Sequence, residues 1–145
     1  MRDGGWPGVL AACTLLTGCL DDQQVPHGAE PLYTMVFFAS GSTVVSPRAR
    51  QQIAGFISNP VSPARTMPEA KLCVAGHSDN TGPEPQNRAV AQKRADAVAK
   101  VLVELGVPQE RIVTASMGSA KPLVVTGPNT PEIANRRVEV VVGGC

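Results

Sequence analysis

Apolar residues along this chain fall into short blocks, and the spacing inside each block separates strands from helices. Residues 32–38, Leu-Tyr-Thr-Met-Val-Phe-Phe, are few and β-favouring, and predict a first strand. A turn over 39–43 leads to Ser46-Pro47, an N-cap followed by proline at the first helical position. The helix that starts there turns Ile53, Phe56 and Ile57 inward at helical spacing and stops near Asn59-Pro60. Residues 61–70 contain proline and read as a loop, and 71–76 form a second strand. The most regular stripe lies over 85–105, where Ala91, Ala95, Val98, Leu102 and Leu105 recur on one helical face and Gly106 ends it. Residues 111–115 predict a third strand, and a loop with Gly118, Pro122, Gly127 and Pro128 leads to a fourth over 136–142. The order βαβαββ predicts an α/β (α+β) two-layer sandwich, with two helices packed on a four-stranded mixed sheet.

One apolar block has no place in that scheme. Residues 9–18 are too short for a membrane-spanning helix, which takes roughly 20 apolar residues, and have the size of a signal-peptide core. The block ends in Leu16-Thr17-Gly18-Cys19, which resembles the lipobox of bacterial lipoproteins: an aliphatic residue, two small ones, then cysteine. That resemblance implies cleavage before Cys19 and acylation of its sulfur and its new amine. Leu20 follows, where aspartate typically retains enteric lipoproteins in the inner membrane, so the resemblance favours the outer membrane. Residues 21–31 are polar, contain Pro26 and Pro31, and read as a solvated tether in which His27 is only a linker residue. The expected organisation is a signal peptide over 1–18, an acylated cysteine and tether over 19–31, and one folded domain over 32–145.

Composition narrows the function. The 145 residues carry 13 Lys+Arg and 12 Asp+Glu, so no broad basic surface speaks for nucleic acid. One Trp, one Tyr and three Phe leave little for aromatic stacking platforms. Of the four cysteines, the signal takes Cys13 and lipid takes Cys19. Cys73 and Cys145 remain, either as a disulfide in an oxidising compartment or as a buried thiol and a free one near the end. No C-x-x-C and no His cluster offers metal-ligand spacing, so neither metal nor cofactor is expected.

Two segments carry candidate chemistry, Gly76-His77-Ser78-Asp79-Asn80-Thr81-Gly82 and residues 87–95 of the following helix. Asp79 stands just past the carboxyl end of a strand, where α/β sheets form ligand crevices. Asn87 and Arg94 are seven residues apart and share a helix face with Ala91 between them, and Arg94 leans back toward the Asp79 loop. The pair suits a zwitterion, with Asp79 for an ammonium and Arg94 for a carboxylate. A plain Asp79–Arg94 ion pair that fastens loop to helix suits the spacing equally. His77, Ser78 and Asp79 are neighbours on a strand end, where side chains alternate faces, so they do not assemble a hydrolytic triad.

These segments, with Arg94-Ala95 and Val98, Gly106-Val107 before Arg111-Ile112, Gly118 before Lys121-Pro122, and Asn135-Arg136-Arg137-Val138-Glu139, resemble the OmpA-like peptidoglycan-binding domain in order and spacing. The match runs from about Tyr33 to Val142, and with a lipobox upstream the chain looks most like a Pal-type lipoprotein. The resemblance implies that Asp79 and Arg94 grip the free amine and carboxylate of diaminopimelate in the peptide stem, with Thr81 and Asn87 in support and no enzymatic turnover. It leaves open whether Arg136 touches ligand or ties down its loop. The first turn, Ala39-Ser40-Gly41-Ser42, lacks the acidic or amide residue usual in the family, which puts contacts from that loop in doubt. The stretch 59–68 is longer than usual and is either a partner surface or a tolerated insertion. The function expected is a non-covalent link between outer membrane and wall. The alternative is an envelope signalling or assembly lipoprotein acting mainly through a protein partner, Tol-type or another.

Overall fold

A computed structural model describes residues 33–145. The expected signal peptide, Cys19 and the tether with His27 lie outside the described residues. The elements are β1 (Tyr33–Phe37), α1 (Pro47–Ser58), α2 (Pro63–Thr66), β2 (Leu72–His77), α3 (Glu84–Glu104), β3 (Ile112–Gly118) and β4 (Arg137–Val142). Two 3₁₀ turns, Gln109–Arg111 and Ile133–Asn135, precede β3 and β4. The strands form one mixed sheet in the order β1-β4-β2-β3, antiparallel except for the parallel pair β2/β3. A parallel pair needs a crossover, and α3 supplies it. This is the expected βαβαββ sandwich with one short helix added.

Each main element starts and stops for a local reason. The Ser46 side chain accepts a bond of 3.1 Å from the Ala49 N–H, and Pro47 opens α1. Helix α3 ends in a Schellman arrangement: Val107 N–H donates to Leu102 O, Gly106 N–H donates to Val103 O, and Gly106 takes a φ of +94°. The addition, α2, lies in the stretch expected to be a loop. Ser62 caps it through the Ala64 N–H and Pro63 starts it. Arg111, remote in sequence, then donates to the carbonyls of Ala64, Met67 and Ala70 and holds the segment down.

The core lies between the helices and one sheet face. Val36, Leu72, Val74, Val138 and Val140 from the sheet meet Ile53 of α1 and Ala95, Val98 and Leu102 of α3. Full burial of each large aliphatic side chain stabilises the fold by about 1.5–3 kcal/mol. Strand alternation sends Cys73, Arg137 and Glu139 to the far face. There Cys73 and Cys145 form a disulfide, with sulfurs 1.96 Å and Cα atoms 5.1 Å apart, which resolves the alternatives the cysteine count left open.

Candidate functional site

Gly76, near the end of β2, fixes how close α3 comes to the sheet. A Cβ at Gly76 would overlap the backbone carbonyl of Ala91, so only glycine lets the helix settle there. Ala91 lies between Asn87 and Arg94, and this contact brings both over the carboxyl end of β2, where the chain leaves the strand for Asp79. Asp79, Thr81, Asn87, Arg94 and Arg136 line one pocket of about 140 Å³, together with Ser40 and Gly41. The structure therefore gathers all four residues expected to bind, and adds Arg136.

Arg94 and Asp79 do not form the plain ion pair that spacing alone also allowed. The Arg94 guanidinium, 2% exposed, donates from Nε to Ser42 O at 2.9 Å and from Nη1 to His77 O at 3.2 Å. Its carbon lies 5.4 Å from the centre of the Phe38 ring, within cation–π range. Asp79 is paired with Arg136 instead, Nη1 to Oδ2 at 2.9 Å. The same oxygen accepts from the Glu132 N–H at 3.4 Å, and Oδ1 accepts from the Thr81 hydroxyl at 2.6 Å and the Thr81 N–H at 3.4 Å. Burial alone would raise the Asp79 carboxyl. The donors, Thr81 hydroxyl first and Arg136 next, outweigh it and hold the group below its ordinary range. Burial lowers Arg94, the Asp79 charge opposes this, and the Arg136 charge adds to it. Arg94 is still a cation at neutral pH, as guanidiniums in proteins are.

The supporting residues leave acceptors for a ligand amine. Asn87 Nδ2 donates to Gly82 O at 3.3 Å, and its amide oxygen makes no bond among the described residues. Thr81 spends its hydroxyl hydrogen on Asp79 and keeps its lone pairs. The 39–42 turn lines the pocket despite lacking an acid or amide, and its contribution is backbone: the Ser42 carbonyl holds Arg94. Asn80 and Asn129 tie the Asp79 loop to the 127–129 loop, with Asn80 Nδ2 donating to Gly127 O at 2.8 Å and the Gly82 N–H donating to Asn129 Oδ1 at 3.1 Å. The Asn135-Arg136 motif was visible in the sequence, but the 57 residues separating Arg136 from Asp79 gave no local sign of their pairing.

His77 stands apart from this chemistry. It is 2% exposed, neither ring nitrogen has a hydrogen-bond partner, and Nε2 lies 3.7 Å from Glu139. The Ser78 hydroxyl is likewise unpartnered, so the three consecutive polar residues share no relay. Among the described residues, no group of three or more His, Cys, Asp or Glu is placed to hold a metal ion.

The geometry can be set beside known proteins. The chain is 34% identical over 107 residues to outer membrane porin F of Pseudomonas fluorescens, covering 74% of this chain and 32% of that protein. It is 30% identical over 109 residues to the peptidoglycan-associated lipoprotein of Brucella melitensis, covering 75% and 62%. Against the peptidoglycan-binding protein ArfA of Mycobacterium tuberculosis it is 37% identical over 78 residues, 54% of this chain and 24% of that one. The chain thus spans from 24% to 62% of the length of these relatives. Among solved structures, the peptidoglycan-associated lipoprotein of Burkholderia pseudomallei superposes with a TM-score of 0.62 at 28% identity, covering 74% of this chain and 88% of that one. The OmpA family itself matches residues 37–137, a span that holds the whole pocket from Ser40 to Arg136, and the chain belongs to the OmpA family.

Proposed function

We propose that this domain binds peptidoglycan without turnover and ties the outer membrane to the cell wall from a lipid anchor at Cys19. The observation that carries the reading is the Asp79/Arg94 pocket. It offers a buried guanidinium to a carboxylate and, in the same pocket, an ionised carboxyl with free acceptors on Thr81 and Asn87 for an ammonium. An amine and a carboxylate on one carbon fit this pair, and the free end of diaminopimelate in a peptide stem presents them. Relatives that bear the names peptidoglycan-binding protein and peptidoglycan-associated lipoprotein support the choice of polymer. The resemblance of residues 16–19 to a lipobox, with Leu20 after it, supports the periplasmic face of the outer membrane as the location.

Sedimentation with purified diaminopimelate-type peptidoglycan tests the site. The wild-type protein is expected in the pellet, and the Asp79→Ala and Arg94→Ala variants in the supernatant. Equal sedimentation of all three would show that the wall is held elsewhere.

A further inference from the structure

The pocket does not balance its charges. Asp79 is the only acid among the residues that line it, against two guanidiniums, Arg94 and Arg136. Asp79 is also saturated: its two oxygens accept four hydrogen bonds, about as many as a carboxylate has lone pairs to offer. The two arginines are only half used. Arg94 spends Nε and Nη1 on Ser42 and His77, Arg136 spends Nε and Nη1 on Phe38 and Asp79, and Nη2 of each makes no bond among the described residues. A ligand contributing one ammonium and one carboxylate adds no net charge. It would leave one cation in excess in a partly dry site, where an uncompensated charge is costly.

Depth separates the two guanidiniums. Arg94 lies at the floor, 2% exposed, while the Arg136 side chain is 12% exposed and sits toward the mouth. The pocket is open to solvent on one side, so the head of a ligand residue can enter it while the rest of the ligand extends outside. The head carboxylate therefore belongs to Arg94, and whatever meets Arg136 comes from the part of the ligand that stays outside.

We infer that Arg136 reads a second carboxylate of the ligand, beyond that of the head, so that the site selects a stem in which that carboxylate is free over the same stem with it amidated. This rests on the peptidoglycan reading above. Two carboxyl groups of the stem are placed outside the head: that of the γ-linked glutamate and that at the C-terminus of the peptide. They offer Arg136 the same chemistry.

The test titrates the detergent-solubilised full chain with the tripeptide L-Ala-γ-D-Glu-meso-diaminopimelate, with its glutamate carboxamide, and with its C-terminal carboxamide. Loss of a charged hydrogen bond predicts binding about tenfold weaker for one of the two amides, which names the source. In Arg136→Gln that ratio should collapse toward one, and in Arg136→Lys, which keeps the charge, it should persist in part. A residue that merely positions Asp79 would weaken all three ligands together and leave the ratio intact. Equal wild-type affinity for all three peptides, or an unchanged ratio in Arg136→Gln, overturns the inference while leaving the peptidoglycan reading standing. If the unmodified tripeptide does not bind at all, both fall. Should Arg136→Gln not fold, the wild-type ratio alone decides.

Discussion

Two consecutive arginines, one just before β4 and the other its first residue, turn to opposite sides and meet opposite fates. Arg136 enters the pocket and pairs with an acid whose every acceptor is used, keeping one end of its own guanidinium free at an open mouth. Arg137 turns to the far face, where Glu139 accepts from its Nε at 2.7 Å and lies 2.6 Å from Nη2. There Nη1 is buried without a partner, beside a His77 ring with both nitrogens unpaired. Both clusters hold buried cations. One has spare donors facing solvent and can receive a ligand; the other has spare polar atoms facing protein and can only store their desolvation cost. An unspent hydrogen bond becomes function only where something can reach it.

The largest expected effect acts beneath both clusters. The disulfide closes a separation of 72 residues, and Cys145→Ser should cost about 4 kcal/mol of stability in the chain-entropy model, read by urea unfolding. Wall sedimentation of the folded variant should be unchanged, because neither cysteine lines the pocket. A smaller effect should fall on the far cluster alone. Glu139→Gln leaves Arg137 a buried cation without its counter-charge and should cost about 2 kcal/mol, again with sedimentation intact. If Glu139→Gln frees the protein from the wall, the two clusters are one system and the contrast fails.

The smallest effect separates the clusters by pH. Burial, then the Arg137 charge, holds His77 below its ordinary value of 6.5 against the pull of Glu139. The unfolded ring therefore gains its proton first, and stability that is full above about pH 6.5 declines as pH falls through that value. Asp79 lies below its ordinary 3.8, so its contribution is full above about pH 3.8 and is lost at lower pH still, through its folded pKa. Melting temperatures should fall between pH 7.5 and 5 in the wild type and less in His77→Gln. Asp79→Asn should keep that slope and flatten only the decline below pH 4.

Much of the layout was legible because it is written in local pattern. The stripe from Ala91 to Leu102 and the Gly106 stop specify α3, and the expected helix differs from Glu84–Glu104 by one residue at each end. What escaped is long-range. Helix α2 is a single turn inside a proline-bearing stretch, and it depends on the Arg111 side chain more than 40 residues away for three of its tethers. Facing positions on α3 were enough to bring Asn87, Arg94 and Asp79 to one pocket. The partners of Arg94 were out of reach, because they are backbone carbonyls, one of them 52 residues distant, and a carbonyl leaves no mark in a sequence.

The sheet order carries one more consequence, for the time at which the protein becomes competent. Among the described residues β1 has β4 as its only neighbour, and the bond from Arg136 to the Phe38 carbonyl bridges 98 residues. A chain emerging amino end first holds β1 unmatched until β4 appears, and contacts of such long reach are slow to form. Arg136 arrives with that final strand, so the pocket is assembled in the same late step that completes the sheet. A chain halted before residue 136 has neither, and ligand binding thereby reports that synthesis has run through β4.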